Sequence, residues 1–204
     1  MIKYPAGQGP RLHLKTNPRS TKQATQYGSR GMTFEEMINQ SNAYYLNRQL
    51  AVIHKKPTPI QIVKVDYPKR SAAKITEAYF RQASTTDYNG VYLGRYIDFE
   101  TKETRNKTSF PLSNLHDHQI EHMKQCHQQG GLVFLLIYFK AHDTIYLIPY
   151  PLLEGFIQKN KKQSIPYAFI QKNAYACPQG QFPISVDYLS ALDAYIEQAD
   201  QNEV

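Results

Sequence analysis

Cysteine is scarce in this chain. Only Cys126 and Cys177 are present, at a spacing that suits neither a metal knuckle nor a disulfide framework, so a reducing cytosol is expected. Long apolar runs are missing too. The longest, Leu132 to Phe139, is far too short to span a bilayer, so no membrane role is expected. Acidic residues are absent from the first thirty positions, which instead carry Lys3, Arg11, Lys15, Arg19, Lys22 and Arg30 among Pro, Gly, Gln, Ser and Thr. That opening lacks the apolar core of a signal peptide. Residues 1–29 read as a disordered basic arm, which either adds salt-sensitive affinity for an anionic partner or only solubilises the chain.

What is present points the same way. The 204 residues suffice for one domain with a sizeable core, here residues 30–204. A formal charge of +7 and an isoelectric point near 9.2 favour an anionic partner. Thr33-Phe-Glu-Glu36 is a capping box, which predicts a helix to about Asn47 with Phe34, Ile38 and Tyr45 inward. A short strand follows from Leu50 to His54. Between His54 and Arg81 lie seven basic residues, Lys55, Lys56, Lys64, Lys69, Arg70, Lys74 and Arg81, against Asp66 and Glu77. This stretch reads as a basic projection at about 55–81, built from an alternating strand over Ile60–Val65 and a helix from Ser71 to Arg81. An ordinary hairpin and helix with a solvated charged face is the alternative.

Residues 84–102 organise the rest. From Ile97 on, the pattern alternates with period two, so that Ile97, Phe99 and Thr101 share one strand face and Asp98, Glu100 and Lys102 the other. A turn expected at Asn89-Gly90, with a second bend at Gly94, brings Asp87 beside Glu100. Two carboxylates make a hard-cation site suited to magnesium, which takes the rest of its shell from water and substrate phosphate. A metal there activates water and neutralises charge on a phosphoryl oxygen, while the Lys102 amine orients the water or stabilises the transition state. The pattern alone also fits a solvated charged edge strand.

Later elements are plainer. Pro111 precedes a helix capped by Ser113 or Asn114 and running from His116 to Gln129, where Gly130-Gly131 stops it. His118 and His122 stand one turn apart on it, yet no third ligand of matching spacing supports zinc. Leu132–Phe139 and Thr144–Ile148 read as strands, the first buried on both faces. Pro151 starts a short helix. Ser185 to Gln198 is a last amphipathic helix in an acidic tail, so any basic groove lies elsewhere.

Four stretches, His54–Ile60, Tyr67–Ser71, the segment 84–102 and His116–Met123, together resemble the RecU-type Holliday junction resolvases. The likeness runs from about Arg30 to Phe139 and fades from Lys140. It implies an α/β fold of the restriction-endonuclease-like type, a mixed central sheet of about five strands flanked by helices, with the insertion forming a stalk that rises towards the centre of a four-way junction. It also implies a magnesium-dependent endonuclease, manganese being an alternative ion. Asp87, Glu100 and Lys102 are then catalytic, with Thr85 and Gln119 joining Asp87 and Glu100 as metal ligands. Glu35 is a further acidic candidate from the first helix. Lys55, Lys56, Lys69, Arg70 and Arg81 are assigned to DNA. The resemblance further implies a homodimer, since a two-fold junction needs two opposed cuts, and the recombinase RecA as a partner for residues such as Arg70 and Tyr79. Two rivals remain, a restriction-type endonuclease acting on duplex DNA and a non-enzymatic basic module that binds or anneals DNA.

Overall fold

The computed structural model describes residues 32–81, 85–160, 163–181 and 183–202; the basic arm expected over 1–29 lies outside them. In chain order the elements are α1 (Phe34–Asn47), β1 (Ala51–Lys55), β2 (Ile60–Asp66), β3 (Lys74–Phe80), β4 (Tyr88–Tyr92), β5 (Arg95–Thr104), β6 (Ser109–Pro111) and α2 (Asp117–Gln128). They continue with β7 (Leu132–Phe139), β8 (Thr144–Pro149), α3 (Tyr150–Lys159), β9 (Ser164–Pro166) and α4 (Tyr167–Asn173). The chain closes with β10 (Tyr175–Cys177), β11 (Gln179–Gln181), β12 (Ile184–Val186) and α5 (Tyr188–Asn202).

Six strands form the central sheet, in the order β1-β4-β5-β7-β8-β10. It is mixed, because β5 and β7 run parallel while the other neighbours are antiparallel. The apolar run of β7 is explained by burial on both faces. Phe134 and Leu136 enter one core with Ile97, Phe99, Tyr188 and Leu192, whereas Val133, Leu135 and Ile137 enter the other with Met123, Leu153 and Phe156. On the first side Phe99 stacks between Tyr88 and Phe134, with ring centroids 4.9 and 4.8 Å away. Each large buried side chain of this kind contributes about 1.5–3 kcal/mol through apolar area removed from water.

Helix α1 forms as its capping box requires. The Thr33 hydroxyl accepts from the Glu36 amide at 3.2 Å, and Glu36 returns a carboxylate oxygen to the Thr33 amide at 2.7 Å. Phe34, Ile38 and Tyr45 are buried as the helical spacing demands. The strand expected at Leu50–His54 lies one residue later, at β1.

Four expectations are corrected. Asn89-Gly90 is no turn; both residues lie inside β4, paired with Asp98 and Ile97. Gly90 is needed because β1 crosses close by, and a Cβ there would stand 2.0 Å from the Val52 carbonyl oxygen. The hairpin instead turns at Leu93-Gly94, whose φ values of +49° and +73° are left-handed, as tight β-hairpins require. Secondly, Ser71–Arg81 is not a helix. A short 3-10 turn over Arg70–Ala72 leads into β3, which pairs with β2 from Ile60↔Phe80 to Asp66↔Lys74. The three alanines suggest a helix, but Ile75, Thr76, Tyr79 and Phe80 have the branched and aromatic shapes that fit a pleated surface. Thirdly, the helix after Pro111 begins at Asp117 with His116 as its cap, Leu112–Asn114 being a separate 3-10 turn. Finally, the last helix starts at Tyr188, because Ser185 belongs to β12.

Candidate active site

Strand β5 carries the site. Its apolar side chains point into the first core, so Asp98, Glu100 and Lys102 face the other side of the sheet, where α2 packs across β5 and β7. Pairing of Tyr88 with Phe99 sets Asp87, one residue earlier, opposite Glu100. The Asp87 amide donates to Glu100 Oε2 at 3.1 Å, and the Thr101 hydroxyl donates to Asp87 Oδ2 at 3.4 Å. Lys102 Nζ stands 2.8 Å from Glu100 Oε1 and is the one cation paired with this buried oxygen among the described residues. Burial, and after it the charge of Asp87, pushes the Glu100 carboxyl up to about 7, with Lys102 pulling the other way. Two neighbouring carboxylates, one of them buried, with a single ammonium beside them are short of positive charge.

The donor set fits a hard divalent cation. Asp87 and Glu100 supply carboxylate oxygens, and half-buried Thr85 offers a hydroxyl close by in sequence; oxygen ligands of this kind suit magnesium or manganese and not zinc. Gln119 is buried on the first turn of α2, where its Oε1 accepts the His116 amide at 3.1 Å. Glu35 pairs with Lys55, Oε1 to Nζ at 2.5 Å. It also acts, with Asp87 and Glu100, among the charges that raise the Tyr88 phenol above its ordinary value, burial being the main cause.

A second polar group on the same strand face escapes sequence reasoning. Asp98 is fully buried and gathers partners from four segments. Lys56 Nζ reaches its Oδ2 at 2.7 Å, the Tyr96 hydroxyl donates to Oδ2 at 2.8 Å, His122 Nε2 lies 3.3 Å away, and the Thr86 hydroxyl donates to Oδ1. Asp98, His122 and Cys126 could by themselves hold a metal, with ligand atoms within 4.8 Å of one another. The Lys56 ammonium already supplies the cation there, 3.3 Å from His122 Nε2. Of the two histidines one turn apart, His118 stacks on His116, whereas His122 lies beside Asp98. The available signal was the alternation that sets Asp98 beside Glu100; its ammonium partner is 42 residues away.

The family model of RecU, Recombination protein U, matches residues 29–194. This chain belongs to the RecU family. Two curated relatives carry the name Holliday junction resolvase RecU. That of Staphylococcus aureus (strain MRSA252) is 57% identical over 182 residues, 88% of this chain and 87% of the relative. That of Streptococcus gordonii is 54% identical over 205 residues and spans the whole of both chains. A solved structure of Archaeoglobus fulgidus Hjc, a Holliday junction resolvase from an archaeal hyperthermophile, is 8% identical with a TM-score of 0.41, covering 68% of this chain and 92% of that one; so weak a likeness carries no argument. The RecU match continues well beyond Lys140, where the resemblance read from sequence fades.

The basic residues of this RecU chain separate into two groups. Lys69 and Arg81 are exposed, and Arg81 is held by its amide to the Pro59 carbonyl at 3.0 Å and its Nε to Gln61 at 3.2 Å. The hairpin around them exposes every residue of β2 and β3 except half-buried Val65, Tyr67, Tyr79 and Phe80 being the most prominent aromatics there. Lys55 and Lys56 do not stand on that projection. The first closes β1 and pairs with Glu35, and the second turns inward to Asp98.

Proposed function

We propose that this RecU-family chain is a divalent-metal-dependent endonuclease that resolves four-way DNA junctions by paired nicks, in recombination and repair. The observation that carries the reading is the Asp87–Glu100–Lys102 grouping, with the buried Glu100 carboxyl raised by burial and by Asp87, in a chain whose curated relatives are named Holliday junction resolvases. Asp87 and Glu100 hold the metal, magnesium or manganese, with Thr85 and Gln119 as further ligands. When bound there, a divalent ion would supply an activated water and would neutralise charge on the attacked phosphate.

The remaining work falls to the chain's own groups. Lys102 places an ammonium at the edge of the carboxylate pair, where it orients the attacking water and stabilises the charge that grows on the phosphoryl oxygens. The β2–β3 hairpin enters the open centre of the junction, and Lys69, Arg70 and Arg81 meet phosphates that converge there. Two opposed strands must be cut, which an isologous homodimer does with two sites at fixed separation. The recombinase RecA is a second partner, contacted through Arg70 and Tyr79. Work on chromosomal DNA places the protein in the cytoplasm; among the described residues no helix is long and apolar enough to cross a membrane.

Purified protein incubated with labelled four-way, three-way and linear DNA, with and without magnesium, tests the reading. It expects metal-dependent nicking of four-way junctions at symmetric positions. Cleavage of linear duplex at one sequence would favour the restriction-type rival, and binding with no cleavage under any metal would favour the non-enzymatic one.

A further inference from the structure

Thr85, Thr86 and Asp87 follow the projecting hairpin and lie in neither helix nor strand, yet Asp87 must be placed within reach of Glu100. Lys56 grips this segment twice. Its amide donates to the Asp87 carbonyl at 2.8 Å, and its ammonium donates to the Thr86 hydroxyl at 2.9 Å. Thr86 in turn donates to Asp98, whose other oxygen takes the ammonium of the same lysine. Lys56, Thr86 and Asp98 therefore close a triangle, with Asp98 anchored on the strand that bears Glu100 two residues on. The Lys56 side chain is 17% exposed and that of Asp98 not at all, so the pair is shielded from the solvent that makes most ion pairs weak. His122 and Tyr96 brace the carboxylate from α2 and from β5 itself.

We propose that Lys56 and Asp98 act as a positioning clamp, fixing the Thr85–Asp87 segment against β5 and so setting the place of Asp87 relative to Glu100. The proposal rests on Asp87 and Glu100 being the metal carboxylates. In this role both residues act through Asp87, as positioning groups. Charge alone makes the opposite forecast, because an ammonium near a cation site repels the cation and its removal strengthens metal binding. A clamp that holds a ligand weakens metal binding when it is removed. Misplacement of a reacting group by about 1 Å can cost on the order of 10²-fold in rate.

Three variants decide between these. Lys56→Met removes the ammonium at similar volume, Lys56→Arg keeps a cation, and Lys56→Met with Asp98→Asn removes both charges, so that no buried carboxylate is left unpaired if the single variant fails to fold. Manganese binding without DNA is followed by electron paramagnetic resonance, alongside metal-free junction binding, single-turnover cleavage and thermal unfolding. The clamp predicts that Lys56→Met and the double variant bind manganese about tenfold more weakly and cleave about 10–100-fold more slowly. Metal-free junction affinity should stay within about threefold, and Lys56→Arg should recover part of the loss. A double variant that regains thermal stability but not manganese affinity separates positioning from mere stability. Unchanged or tighter manganese binding in the folded variants overturns the proposal. So does a loss of junction affinity with a salt slope reduced by about one, the mark of a phosphate contact. Parent protein that binds manganese no better than Asp87→Ala fails the metal reading itself, a result distinct from either.

Discussion

Glu100, a carboxylate of the proposed metal site, also bears on the stability of the fold. In the metal-free fold its carboxyl is raised to about 7 from an ordinary value near 4.5, so between those values the folded state binds more protons than the unfolded one. Stability therefore falls as pH climbs from about 4.5 to about 7 and stays reduced above, by an amount on the order of 3 kcal/mol. Glu100→Gln should remove that dependence and melt higher than the parent at pH 8 in chelator, with little difference at pH 4.5; a parent melting temperature no lower at pH 8 than at pH 5 would contradict the burial argument. Magnesium competes with the proton and should raise the parent's melting temperature most at high pH. Lys102→Ala should bind junctions yet cleave them about 10²–10³-fold more slowly, and single-turnover rates at saturating protein measure this directly. The alternation of β5 made Glu100 and Lys102 legible on one face, because period two fixes which side chains share a face; Asp87 was brought beside them through a turn read at Asn89-Gly90, whereas the chain turns at Leu93-Gly94. Asp98 shares that face, but its partners Lys56, Thr86 and His122 come from distant segments, and no local pattern encodes such convergence.

At the scale of elements, local chemistry was legible wherever it had no competitor. The Thr33 box set the start of α1, and the apolar run of β7 announced a strand covered on both faces. Asn89-Gly90 failed because the same dipeptide serves a turn or a close strand approach, and only the position of β1 distinguishes them. Gly90→Ala should accordingly destabilise the protein by about 1–3 kcal/mol, since β1 must move to admit the methyl group; urea unfolding with an unchanged midpoint would refute the close approach. The β2–β3 hairpin was legible as a basic projection but not in its second strand, because alanine content favours a helix while the pairing with β2 lies across a turn. Replacing Ile60–Phe80 with a short Gly-Ser linker should cut four-way junction affinity sharply and leave weak, salt-sensitive duplex binding in place. An unchanged junction-to-duplex preference in a folded deletion, checked by circular dichroism, would remove the hairpin from junction recognition.

Over the whole molecule, the sequence indicated a mixed α/β architecture and missed two of the six central strands: β4, where a turn was expected at Asn89-Gly90, and β10, a three-residue edge too short to show a pattern. The last third was also the least legible, for β9 to β12 are each three residues long and gain their place from pairing alone. Charge follows the architecture. The hairpin carries Lys64, Lys69, Arg70 and Lys74, whereas α5 carries Asp193, Glu197 and Asp200 without a basic residue, so the proposed junction contact lies on the side of the projection and not at α5. The most direct measurement compares the parent and Asp87→Ala on a labelled four-way junction, recording binding without metal and nicking with magnesium in the same preparation. If Asp87 and Glu100 form the metal site, the variant binds as well as the parent or better, because one carboxylate no longer repels the phosphate, and it nicks neither strand. An Asp87→Ala protein that still makes paired nicks at near the parental rate would contradict the account.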